Sequence, residues 1–216
     1  MKDLTIEYIK LEAGKFLRDL SSHGVDTLFG ITDGKTVGTY VEHEFHSFLR
    51  TNYRYEVGSS ARGIDFPALG IDLKVTLHRQ PQSSCPFRTA DQKVYGLGYH
   101  LMVFVYDKRD DSETETAYLN FSDAIFIEED RTGDYQTTKG LIDILSNDAN
   151  LDDIDTFLQE RNLPLDEIGR RHLANRIVET WPLQGYITIS NALQWRLQYS
   201  WSIEYAGKVD GVESLL

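Results

Sequence analysis

Residues 63–76, the run Gly63-Ile64-Asp65-Phe66-Pro67-Ala68-Leu69-Gly70-Ile71-Asp72-Leu73-Lys74-Val75-Thr76, constrain this chain more than any other segment. Pro67-Ala68-Leu69-Gly70 has the residue types of a turn, and residues 71–77 alternate as a strand does. A β-strand points residues i and i+2 to the same face. Ile71, Leu73 and Val75 then enter a core, while Asp72 and Lys74 project together. The turn folds Asp65 back toward Asp72, so two carboxylates and one ammonium converge at the end of a hairpin. Hard divalent cations such as Mg²⁺ are held by one or two carboxylates, water and phosphate oxygens. A lysine beside such an ion can orient an attacking water and neutralise charge developing on a phosphate. The constellation points to metal-dependent phosphodiester hydrolysis.

The turn, rather than the Asp-x-Lys spacing, carries this reading. The chain holds that spacing at Asp33-Gly34-Lys35, at Asp72-Leu73-Lys74 and at Asp91-Gln92-Lys93. The first looks like a turn entering a helix. The last lies in a stretch that reads as helical, where i and i+2 do not share a face. Only the middle one has alternating apolar neighbours and a second aspartate brought round by a turn. The plainer alternative is a surface hairpin with a solvated ion pair, which adds little stability.

On these residues the segment resembles the active site of the PD-(D/E)xK nuclease superfamily, which includes many restriction endonucleases and several repair nucleases. In that pattern an Asp precedes a strand bearing Asp or Glu, any residue, and Lys; Asp65, Asp72 and Lys74 stand at those places. The "DF..LGxELK" segment of the mismatch-repair nicking endonuclease MutH and its restriction-enzyme relatives is similar to Asp65-Phe66 followed by Leu69-Gly70-Ile71-Asp72-Leu73-Lys74. Their "VGxxxE" helix is matched by Val37-Gly38-Thr39-Tyr40-Val41-Glu42, so Glu42 becomes a further candidate; an ordinary helix-surface glutamate is the alternative. Ile64 stands where the pattern has proline, and the gap from Glu42 to Asp65 is longer than in MutH. The likeness covers residues 35–76.

The resemblance implies an α/β fold, a restriction-endonuclease-like mixed β-sheet flanked by helices. It implies Mg²⁺, with Mn²⁺ as a substitute, held by Asp65, Asp72 and the Leu73 carbonyl, with Glu42 as a further ligand. Lys74 would position the attacking water. The implied activity is that of a type II restriction enzyme, cutting double-stranded DNA at specific sequences to leave 5′-phosphate ends. A cognate DNA methyltransferase is then the expected genetic partner, and monomer and homodimer both stay open. The alternatives are a repair-type nicking endonuclease directed by methylation or DNA structure, and a catalytically silent DNA- or protein-binding module.

With 216 residues, the chain has room for one domain or one domain with a small appendage. Its single cysteine, Cys85, excludes an intramolecular disulfide and fits a reducing compartment. The N-terminal residues lack the apolar core of a signal peptide, and no run has the length of a membrane span; a cytoplasmic protein is expected. A net charge of −12 runs against DNA binding, since neutralising phosphates supplies much of the affinity. The charge is unevenly placed, however. Residues 101–160 carry sixteen acidic side chains against four basic, whereas residues 50–100 carry seven basic against four acidic. Arg62 and Arg79, flanking the motif, are therefore expected to meet DNA.

Residues 4–21 and 36–50 show helical apolar spacing. Residues 88–99 read as a helix containing Gln92 and Tyr95, similar to the glutamine and tyrosine that many superfamily members place after the Asp-x-Lys strand; Gln92 and Lys93 become candidate DNA contacts. Residues 101–106 form a continuous apolar run, as in a central buried strand, and 116–128 suggest one or two strands broken near Ser122-Asp123. Residues 137–146, 151–161 and 165–180 look helical, with acid-rich first turns in the last two. The order of elements predicts a mixed sheet with a crossover, a nuclease core over 1–150 and a smaller, mainly helical C-terminal region over 151–216. Residues 186–205 alternate as a strand, although Ser190 could cap a helix. Gln194 and Gln198 share a face on either reading, with Arg196 if a strand, and these side chains can read base edges. A solvated face over an aromatic core is the plainer account.

Overall fold

The structure, a computed structural model, describes residues 1–58, 63–85, 88–191 and 195–216. Its elements run β1 (Lys2–Asp3), α1 (Ile6–Ser21), β2 (Gly24–Val25), α2 (Gly34–Arg50), β3 (Tyr53–Arg54), β4 (Ile71–Leu77), β5 (Gln82–Cys85), α3 (Gln92–Tyr95) and β6 (His100–Asp111). They continue as β7 (Thr116–Ile127), α4 (Tyr135–Leu145), α5 (Leu151–Glu160), α6 (Glu167–Glu179), β8 (Thr188–Ile189), β9 (Trp195–Gln198), α7 (Ser200–Tyr205) and β10 (Val212–Ser214). The chain forms two compact units. The first takes residues 1–81, 100–126 and 206–216, the second residues 82–99 and 127–205. The expected boundary at 150 does not coincide with this division. The reason is topological: β4 and β6 pair in parallel, and a parallel pair needs a long crossover. Residues 82–99 are that crossover, and they belong to the second unit.

In the first unit the sheet order is β10-β7-β6-β4, with β2 pairing antiparallel to β7. Residues 101–106 of β6 are all buried, as their unbroken apolar run predicts. β7 is one continuous strand through Ser122-Asp123, where a break was expected; Ser122 is exposed and Asp123 half-buried, so neither polar group is forced into the core. Helix α2 begins at Asp33, whose carboxylate accepts the Lys35 and Thr36 N–H groups, so this Asp-x-Lys is an N-cap. Helices α1 and α2 bury Ile9, Phe16, Leu17, Val41, Phe45 and Leu49 in one core with Phe66, Leu73 and Phe104. The Phe45 ring sits at its centre, 5.1, 6.2 and 5.5 Å from those of Phe16, Phe66 and Phe104.

The second unit contains a separate antiparallel sheet in the order β5-β9-β8, together with α4, α5 and α6. Asp134, Asn150 and Asp166 cap these helices through their side chains. The helix expected over 88–99 is only the single turn α3, because Gly96 and Gly98 take φ of 90° and 82° and end it. Of the strand expected over 186–205, only Thr188–Ile189 and Trp195–Gln198 are extended; they pair antiparallel with each other, and α7 follows from Ser200. The acidic segment is divided between the units, and part of it is paired, as in Asp155 with Arg170 at 3.1 Å. Among the described residues no helix is long and apolar enough to cross a membrane.

Because Phe45 joins both helices to the hairpin and β6, Phe45→Ala is expected to cost about 3–5 kcal/mol of stability. Urea unfolding should show the midpoint falling with little change in slope; a loss below about 1 kcal/mol would mean that the aromatic layer is not continuous.

Candidate active site

Strand β4 lies at the edge of its sheet, and its two hydrogen-bonding sides do different work. Its even-numbered positions face β6: Gly70 C=O accepts the His100 N–H at 2.8 Å, and His78 N–H donates to Tyr106 C=O at 2.8 Å. Odd-numbered residues therefore turn N–H and C=O to the uncovered edge. There the Pro67–Gly70 turn doubles back. Phe66 N–H donates to Ile71 C=O at 2.9 Å, and Ile71 N–H donates to Phe66 C=O at 3.2 Å. Gly70 closes this turn at φ 62°, a conformation glycine adopts at little cost. One rung on, the Leu73 N–H donates to Asp65 Oδ2 at 2.7 Å. Asp65 is thus pinned to the strand edge toward which the Leu73 carbonyl also points.

Asp72 and Lys74 project from the other face of β4, as the alternation predicts, and Lys74 Nζ lies 2.8 Å from Asp72 Oδ2. Asp72 is only 3% exposed. Burial pushes its carboxyl up, Lys74 pulls it back, and Asp65 pushes it up again, to about 7. Glu42 on α2 joins the group: burial and then the charge of Asp65 raise its carboxyl, against the pull of His43 and Lys74. The structure therefore brings Glu42, Asp65, Asp72 and Lys74 into one electrostatic cluster, with three carboxyls against one ammonium. Such a set of hard oxygen donors with surplus negative charge suits a divalent cation. Among the described residues no three His, Cys, Asp or Glu side chains form a metal cage by themselves. A Mg²⁺ site completed by carbonyl, water and phosphate oxygens does not require one.

Glu42 and Asp65 also line a cleft of about 330 Å³ with His43, His46 and Arg50. His46 and Arg50 had no site role from sequence; their spacing of four and eight residues from Glu42 on one helix is the signal that would have found them. His46 stacks on Phe66 at 4.7 Å, and its Nδ1 lies 3.0 Å from the Tyr55 hydroxyl. Burial, more than any neighbouring charge, favours its neutral form. Gly38 faces Val75, but a Cβ there would sit an ordinary 3.7 Å away, so the approach of α2 to the hairpin does not demand glycine.

The candidate DNA contacts fare unequally. Arg62 and Gln194 lie outside the described residues. Arg79 is exposed in the turn after β4. Gln92 is turned inward, its Nε2 donating to Leu97 C=O at 2.8 Å. Lys93, expected as a DNA contact, is 3% exposed; its Nζ donates to Ile189 C=O at 2.9 Å and to Asn191 Oδ1. Lys93 is thus an internal strut, and burial lowers its pKa. Arg196 and Gln198 are exposed on β9.

The raised Asp72 pKa has a measurable sign. The folded state binds this proton more tightly than the unfolded chain, so the associated stabilisation is complete below the ordinary aspartate value and lost as pH rises through about 7. In chelator, Asp72→Asn should raise the melting temperature at pH 8, with the gain shrinking as pH falls toward about 4. Paired thermal melts across that range check this, and a variant less stable than the parent at pH 8 contradicts it.

The family model described as type II restriction enzyme NspV matches residues 3–214. The type II restriction enzyme NspV of Nostoc sp. (strain ATCC 29411 / PCC 7524) is 51% identical over 212 residues, covering 98% of this chain and 96% of that protein. No solved structure matches the chain. A likeness of that depth, over nearly the whole of both chains, means that the chain belongs to the family of type II restriction enzyme NspV.

Proposed function

We propose that this restriction endonuclease cuts double-stranded DNA by PD-(D/E)xK chemistry, through a MutH-like segment, leaving 5′-phosphate ends. The observation that carries the reading is the pair of contacts on β4, Leu73 N–H to Asp65 at 2.7 Å and Lys74 to Asp72 at 2.8 Å. Asp65, Asp72 and the Leu73 carbonyl would hold Mg²⁺, or Mn²⁺ in its place, with Glu42 as a further ligand from α2. When bound, the cation neutralises and polarises the scissile phosphate. Lys74, steadied by Asp72, orients the attacking water for in-line displacement and stabilises the charge that develops on the phosphate. The burial of Asp72 strengthens that pairing by keeping solvent from screening it.

The same reading supplies the partners. A cognate DNA methyltransferase would protect host sites, and a homodimer would let two such centres address the two strands. The single cysteine, Cys85, is buried, which suits a cytoplasmic protein.

Plasmid and phage DNA incubated with Mg²⁺ should give discrete bands that chelator removes. Lys74→Ala and Asp72→Ala should each slow cleavage by about 10²-fold or more, while gel shifts still show DNA bound. Undiminished cutting by either variant refutes the assignment.

A further inference from the structure

The sheet of the second unit has two faces of opposite character. Its register sets Gln82 opposite Gln198, Ser84 opposite Arg196, and Thr188 opposite Gln198 on the other side. Directly opposed residues share a face, so these five side chains form one surface. Cys85, Ile189, Trp195 and Leu197 are buried on the other face, where Ser83 Oγ is satisfied by the Tyr199 hydroxyl at 2.5 Å. The Lys93 ammonium lies 5.8 Å from the Trp195 ring centroid and bonds Ile189 C=O, so β8 and β9 are braced from below. In a chain with 34 acidic residues against 22 basic, none of these five side chains is a carboxylate. The surface comprises one guanidinium, two carboxamides and two hydroxyls, and Ser84, Arg196 and Gln198 are exposed.

We infer that this surface reads the base sequence of the cleaved DNA, with Arg196 and Gln198 as its specificity-determining residues and Gln82 and Ser84 beside them. The occupant is the major groove, met by the long side chains of Arg196 and Gln198 where they stand out from the central strand β9 of this small sheet. The chemistry matches base edges: arginine pairs bidentately with guanine, glutamine with adenine, and serine or threonine with either. The dimensions match as well. Residues two apart on a strand are about 6.6–6.8 Å apart, and two base-pair steps span about 6.8 Å. With the strand along the groove, Arg196 meets a G·C pair and Gln198 an A·T pair two steps away.

This inference rests on the DNA-cleavage reading, which is tested first and separately, by mapping the sequence that the wild type cuts in plasmid and phage DNA. Duplexes in which each base pair of that sequence is replaced in turn are then cut by wild type, Arg196→Ala, Arg196→Lys and Gln198→Ala. Both Arg196 variants should lose roughly ten- to a hundredfold of discrimination at one G·C position, and Gln198→Ala a similar factor at an A·T position two steps away. Wild-type ratios at every position overturn the inference. Equal weakening at all positions, with a shallower salt dependence, also overturns it, because that is the mark of a phosphate contact. Melting curves keep misfolding apart from lost recognition; should Arg196→Ala not fold, Arg196→Lys and Gln198→Ala decide. A wild type that binds but never cuts sinks the cleavage reading alone, and binding ratios on single-replacement duplexes of the bound sequence then decide whether the ribbon recognises bases.

Discussion

The hydrogen bond from the Leu73 amide to the Asp65 carboxylate is the contact on which the site depends. An amide on a strand edge must find a partner, and among the described residues β4 has no neighbouring strand on that side. The turn supplies backbone partners for one rung and a carboxylate for the next. A hydrogen bond to a charged acceptor contributes about 1.5–3 kcal/mol, which works against the repulsion that Asp65 meets from Asp72 and Glu42. The same bond that completes the strand edge therefore concentrates negative charge.

What keeps that arrangement rigid is packing immediately behind it. Phe66 follows Asp65 in sequence and is buried among Phe45, His46 and Tyr55. Phe45 and His46 are on α2, as is Glu42, so one aromatic layer fixes both the turn and the helix that brings the third carboxyl. Reacting groups supported by a packed layer hold their geometry better than groups carried on a loop.

The parts of this picture that were legible in the sequence are the local ones. The turn, the alternation on β4 and the capped helices each depend on residues within a few positions of one another, and their side chains declare them. Lys93 reads as a candidate DNA contact because nothing near it in sequence announces that Ile189 and Asn191 will take up its ammonium. The length of α3 was hidden for a different reason: the backbone angles of Gly96 and Gly98, rather than their composition, end the helix. The division into units was illegible because it follows from the pairing of β4 with β6, a contact across a segment that folds elsewhere. At Tyr199 the alternation of side chains continues unbroken while the backbone passes from strand to helix, so periodicity alone carried no stop signal.

The interleaving of the two units has a consequence for how such a chain is made. A polypeptide emerges from the ribosome N-terminus first, so Glu42, Asp65, Asp72 and Lys74 are synthesised early. The strand that lies beside β7 at the far end of their sheet comes from residues 212–214. The polar ribbon of the second unit likewise waits for residues 195–198 to join residues 82–85. A nascent chain therefore holds this acidic cluster well before it has a finished sheet or the ribbon of its second unit, a built-in delay between making the cluster and closing the scaffold that carries it.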